Sequence, residues 1–97
     1  MSTIETLQQD IVKNIFLKNH IDSVSLIWLY PRGEENKESN IDLIFTVMDN
    51  EKITLLDLVR LKSELEERLG KTVDLHEESS INIHYRQQIM LDRKVIF

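Results

Sequence analysis

The sequence contains no cysteine, one proline (Pro31) and two glycines (Gly33 and Gly70) among its 97 residues. Without cysteine there are no disulfides, thiolate metal sites or cysteine nucleophiles, and the chain suits a reducing cytoplasm, its expected location. No apolar stretch approaches the roughly 20 residues of a membrane span. The N-terminus also lacks the basic-then-apolar order of an export signal, so no membrane role is expected. Positive charge is the scarcer sign: 12 Lys and Arg against 17 Asp and Glu give a formal net charge of −5. That balance opposes a general nucleic-acid binder, which needs clustered Lys and Arg to neutralise phosphates. It leaves room for a Mg²⁺-dependent enzyme, whose metal ligands are themselves carboxylates. Gly and Pro are so few that each is informative by its position.

What is present suits one small globular domain over residues 1–97, with 41 % apolar and 30 % charged residues. Ser2 and Glu5 form a capping-box pattern, and Ile4, Leu7, Ile11, Ile15 and Phe16 recur at helical spacing. These features predict one amphipathic helix over 3–19. Residues 24–30 are rich in β-branched and large apolar side chains and predict a buried strand, ended by Pro31-Arg32-Gly33. Residues 40–48 alternate with a period of two, placing Ile41, Leu43, Phe45 and Val47 on one apolar face. Thr54 and Asp57 resemble a second capping box. Leu55, Leu58, Leu61, Leu65 and Leu69 follow, with Gly70 at the C-cap position, so a helix is predicted over 55–69. A short strand over 72–76 carries Val73 and Leu75 on one face and Thr72, Asp74 and His76 on the other. A helix over 82–91, with Tyr85 and Ile89 inward, and a terminal strand at Val95-Ile96-Phe97 complete the order α-β-β-α-β-α-(β). The expected fold is an α/β sandwich, with helices packed on a short mixed sheet.

Asn40 and Asp42 stand two apart on a strand, so both side chains leave the same face. Asp74 lies on the polar face of another strand, and the three converge if those strands are neighbours. Carboxylates at such positions can hold Mg²⁺ ions for phosphoryl-type transfer, although here one member is an amide. Solvated aspartates near strand ends are the simpler account of the same pattern.

Four segments follow one another in a specific order: Leu26-Ile27-Trp28-Leu29-Tyr30-Pro31-Arg32-Gly33-Glu34, Ser39-Asn40-Ile41-Asp42-Leu43, Leu69-Gly70 and Val73-Asp74-Leu75. Together they resemble the signature of the minimal nucleotidyltransferases, small members of the polymerase-β-like superfamily, and the resemblance covers nearly the whole chain. It implies a short mixed sheet with packed helices. In an active member it also implies Mg²⁺ and ATP, with Asp42 and Asp74 as metal ligands and Asn40 at the place of the first metal carboxylate. The strand end and following loop, with Trp28, Leu29, Arg32 and Gly33, correspond to the nucleotide cradle. Two departures stand out. Trp28-Leu29 replaces the family's Gly-Ser, where glycine admits the phosphates and the hydroxyl binds them, and Asn40 replaces an aspartate. The cradle and the metal charge are therefore both impaired, and no cofactor is expected. The resemblance then implies a degenerate protein that acts by binding, as the antitoxin beside a helical HEPN-type toxin. The alternatives are a Mg²⁺/ATP-dependent nucleotidyltransferase with an altered site, modifying a protein acceptor, and a structural module acting as a homodimer.

Other polar residues carry less. His76, Glu77, Glu78 and His84 lack the H-x-x-x-H or H-E-x-x-H spacing of a metal site, so an acidic solvated turn after the strand is expected there. His20 is expected to complement a helix C-terminus. Arg32 reads as a surface charge. Trp28 reads as core or pocket filling ahead of its other role, an aromatic anchor at a protein interface.

Overall fold

The computed structural model describes residues 2–27 and 40–97. The expectations for Trp28, Leu29, Arg32 and Gly33 fall outside the described residues. In chain order the elements are α1 (Thr3–Leu7), α2 (Asp10–Lys18), β1 (Ile21–Ile27), β2 (Ile41–Val47), α3 (Leu55–Leu69), β3 (Val73–Glu77), a 3₁₀ turn (Glu78–Ser80), α4 (Ile83–Asp92) and β4 (Lys94–Val95).

α3 forms over the range that its sequence signals predict. The Thr54 hydroxyl accepts the Asp57 N–H at 3.1 Å, and the Asp57 carboxylate accepts the Thr54 N–H at 3.3 Å. The capping box is thus complete and satisfies two backbone donors at the helix start. At the other end Gly70 takes the left-handed φ of 67° that closes a helix. The i,i+4 ion pair on this helix is Lys62–Glu66, at 3.0 Å.

The predicted helix over 3–19 is instead two helices. Ser2 caps α1 by accepting the Glu5 N–H at 3.1 Å, but the backbone at Gln9 is extended, with φ −65° and ψ 143°. That break rotates the apolar stripe. Leu7, Val12, Ile15 and Phe16 are buried, while Ile11, which a continuous helix would bury, is 52 % exposed.

The strands form one sheet in the order β3-β2-β1-β4. β1 is antiparallel to β2 and β4, whereas β2 and β3 run parallel. One face carries Val24, Ile41, Leu43, Phe45 and Val73, which join Val12, Ile15 and Phe16 of α2 and Leu61 and Leu65 of α3 in the main core. Phe97 closes this core against Phe16, with ring centroids 5.7 Å apart. The terminal strand continues beyond β4 through hydrogen bonds between Val24 and both Ile96 and Phe97.

The opposite face is not the solvated one that simple alternation suggests. Ile27 pairs with Asp42 and Ser25 with Ile44 across the β1–β2 ladder, so the four side chains share this face, and all are buried. α4 lies against β1. Asn82 caps it, its side-chain oxygen accepting the His84 N–H at 2.9 Å. The partly buried positions of α4 are Arg86, Ile89 and Met90. The predicted inward residue Tyr85 is 66 % exposed. The protected side of α4 therefore includes an arginine, held by Glu78 at 3.0 Å, which the apolar pattern could not indicate. No described helix is long and apolar enough to cross a membrane.

Candidate functional site

The sheet order makes β2 and β3 neighbours, and their parallel register sets Asp42 directly opposite Asp74. Residues opposed in a parallel ladder leave the same face, so the convergence expected of Asn40, Asp42 and Asp74 is realised. Asn40 is joined to the set by its amide, which donates to Asp74 Oδ2 at 2.8 Å. Adjacent strands lie ~4.8 Å apart. Like charges directly opposed on neighbouring strands repel, the more so where one of them, Asp42, is nearly buried. The protein therefore has to compensate the pair or give up one charge.

Compensation comes from residues outside the predicted set. Lys62 of α3 brings its Nζ to 3.7 Å from Asp74 Oδ1, while also meeting Glu66 Oε2 at 3.0 Å and the Val73 carbonyl. His76 of β3 places Nε2 at 3.1 Å from Asp42 Oδ1, and it must be the donor there because a carboxylate only accepts. Asp42 depends on this partner most, since its side chain is only 6 % exposed and a buried charge without a hydrogen bond is costly. His76 lies on β3, on the polar face expected for it beside Asp74, and there it meets Asp42. Its signal was available: His76 follows Asp74 by two on the same polar face. Lys62 was not legible, because nothing local ties a helix lysine to a strand aspartate.

Glu66 belongs to the same cluster. Its Oε2 accepts the Val73 N–H at 2.9 Å, and this backbone bond, followed by the bond from Lys62, holds its carboxyl below the ordinary value of 4.5. Desolvation and the neighbouring Asp74 act in the opposite direction.

As a metal centre the described residues fit poorly. Mg²⁺ wants oxygen ligands that bring negative charge. Asn40 brings none and turns its N–H donor toward Asp74, while both oxygens of Asp74 and one of Asp42 already face protein donors. Among the described residues no group of three His, Cys, Asp or Glu side chains is arranged to hold a metal ion. A cleft of about 320 Å³ opens at the far end of β2 and β3, lined by Phe45, Met48, Glu51, Glu77 and Glu78 among others. It includes none of Asn40, Asp42 or Asp74. His20 and His84 also lie outside the cluster; His20 takes a φ of 66° after α2 and pairs with Glu51 at 3.7 Å.

The family model described as polymerase beta, nucleotidyltransferase matches residues 9–97. The chain is 42 % identical over 76 residues to "Putative protein adenylyltransferase MJ0435" of Methanocaldococcus jannaschii, covering 78 % of this chain and 80 % of that one. A second protein of that organism, "Putative protein adenylyltransferase MJ1379", is 34 % identical over 68 residues, or 70 % of this chain and 68 % of the other. Among solved structures, one described as "Structure of putative minimal nucleotidyltransferase" superposes with a TM-score of 0.70 at 28 % identity, covering 97 % of this chain and 94 % of its own. A chain from a complex of tri-AMPylated Shewanella oneidensis HEPN toxin with MNT antitoxin superposes with a TM-score of 0.66 at 18 % identity, covering 96 % and 71 %. At that identity the likeness is one of fold.

Proposed function

This chain belongs to the polymerase-β-type nucleotidyltransferase family, and from that premise we propose that it acts by binding a helical HEPN-type partner without transferring nucleotide to it. The observation that carries the reading is the state of the would-be metal ligands. One is an amide, and the two carboxylates, opposed in register, are each engaged by side chains of the protein itself. Loss of one metal carboxylate or of one aligned contact to the reacting phosphate removes several kcal/mol of transition-state stabilisation, or orders of magnitude in rate. The partner class is supported by the fold shared with the MNT chain of a toxin–antitoxin complex. In such a pair this protein would neutralise by occupying the toxin surface, and neither Mg²⁺ nor ATP would be needed.

A second reading, Mg²⁺/ATP-dependent transfer to a protein acceptor through Asp42 and Asp74, draws on the names carried by the M. jannaschii relatives and on the direct opposition of the two aspartates. One experiment separates the two. The protein is co-expressed with the product of a neighbouring HEPN-type gene, the complex is isolated, and labelled ATP is added with Mg²⁺ or Mn²⁺. Stable co-purification without label transfer is the expected result. Robust label transfer that is lost in Asp42→Ala would overturn the proposal in favour of the second reading.

A further inference from the structure

We infer that Lys62, by its charge, and His76, by its hydrogen bond, are the resident partners of the Asp42–Asp74 pair, and that they weaken divalent-cation binding even when the missing carboxylate is restored. The inference deepens the binding reading proposed above and rests on it. A simpler account of the site would assign the whole departure from metal chemistry to Asn40, and the geometry argues otherwise. Asp74 is engaged on both oxygens, Oδ2 by Asn40 at 2.8 Å and Oδ1 by Lys62 at 3.7 Å. Lys62 is not a loose surface charge that a cation could brush aside. It is pinned by Glu66 Oε2 at 3.0 Å and by the Val73 carbonyl as well as by Asp74. Asp42 is nearly buried and is held by His76 at 3.1 Å. A cation taking Asp74 Oδ1 or Asp42 Oδ1 must displace Lys62, which also ties α3 to β3, or His76, and one taking Asp74 Oδ2 meets the Lys62 charge on the same carboxylate. Entry at the Oδ1 atoms is therefore coupled to disruption of the fold's own bonds. The carboxylates persist here as structural anions rather than as ligands.

The test is direct measurement of Mn²⁺ binding to the full chain by water-proton relaxation, with circular dichroism confirming that each form is folded. Four forms are compared: wild type, Asn40→Asp, Lys62→Met with His76→Gln, and all three substitutions together. The expected result is no saturable Mn²⁺ binding at millimolar metal by the wild type and only weak binding by Asn40→Asp, a substitution that also removes the amide bonded to Asp74 Oδ2. The triple variant is expected to bind at least about tenfold more tightly than Asn40→Asp, because ligand charge is then both present and free. Saturable binding by the wild type overturns the inference. So does binding by Asn40→Asp as tight as by the triple variant, since the missing carboxylate alone would then account for the site. Should the triple variant not fold, Asn40→Asp with Lys62→Met replaces it under the same expectation. Mn²⁺ binding by the wild type without nucleotide transfer counts against this inference alone, whereas nucleotide transfer by the wild type counts against the binding reading.

Discussion

Asp42 and Asp74 stand directly opposite one another across the parallel β2–β3 ladder, one nearly buried and the other 40 % exposed at its side chain. The asymmetry makes their partners unequal in importance. His76→Ala leaves the Asp42 carboxylate short of a donor in a desolvated position and is expected to cost about 1–3 kcal/mol of folding stability. Asp42→Asn removes a like charge facing Asp74 and keeps an acceptor for His76, so it is expected to change stability by less than about 1 kcal/mol. Urea denaturation of the two single variants and of the combined Asp42→Asn/His76→Ala variant measures this. The combined variant is expected to be more stable than His76→Ala alone, because no unpaired buried charge remains.

Glu66 predicts a defined acid sensitivity. Its carboxyl titrates lower in the folded chain than in the unfolded one, where the ordinary value is 4.5. The stabilisation it gives is therefore fully present above that unfolded value and is lost as pH falls through the lower folded one. Melting temperatures of the wild type and Glu66→Gln are expected to differ by a constant amount between about pH 6 and 8, and to converge below about pH 4.5. A difference unchanged down to the lowest pH would show that the charge of Glu66 is not what matters.

The ends of α3 give two further expectations. Thr54→Ala deletes the capping hydroxyl and is expected to cost about 1 kcal/mol. Gly70→Ala meets no atom within 4 Å, so its penalty comes only from the left-handed backbone, at φ 67°. That penalty is expected to be about 1–2 kcal/mol. Thermal or chemical denaturation checks both, and the two sites are far enough apart along the helix for the losses to add.

Leu65 lies at the centre of the helix–sheet core, with no exposed surface. Leu65→Ala is expected to cost about 2–5 kcal/mol, through lost burial and the cavity left behind. In a domain of this size that is a large share of the whole stability. The expected outcome is a chain partly unfolded at 37 °C, seen as reduced ellipticity and rapid proteolysis.

How far the fold could be read from sequence differs between elements for identifiable reasons. α3 was legible throughout because its start, stripe and stop are each written locally, in Thr54 and Asp57, in the leucines and in Gly70. The break after α1 was not, because Gln8 and Gln9 are ordinary helix formers and the apolar spacing runs on across them. Alternation along β2 located the strand and its one apolar face, but it carried no sign that the second face is covered too. In the structure that face is buried beside β1, so Asp42 is a near-interior charge. Within the site, the meeting of Asn40, Asp42 and Asp74 followed from strand adjacency, and His76 could have been added by the same period of two. Lys62 could not be, because its contact with Asp74 depends on how α3 lies over β3, a relation that no local pattern encodes.

The clasp at Val73 has a bearing on how any partner can be recognised. Val73 is on the outermost strand, and its N–H and C=O are taken by Glu66 and Lys62 rather than left open. At this position the clasp removes one outward-facing donor and one acceptor from the row that an incoming extended peptide would pair with. Strand addition along β3 would have to start beyond Val73 or break the bonds from Glu66 and Lys62, so the contacts that fix α3 to β3 also limit which part of this edge can be extended.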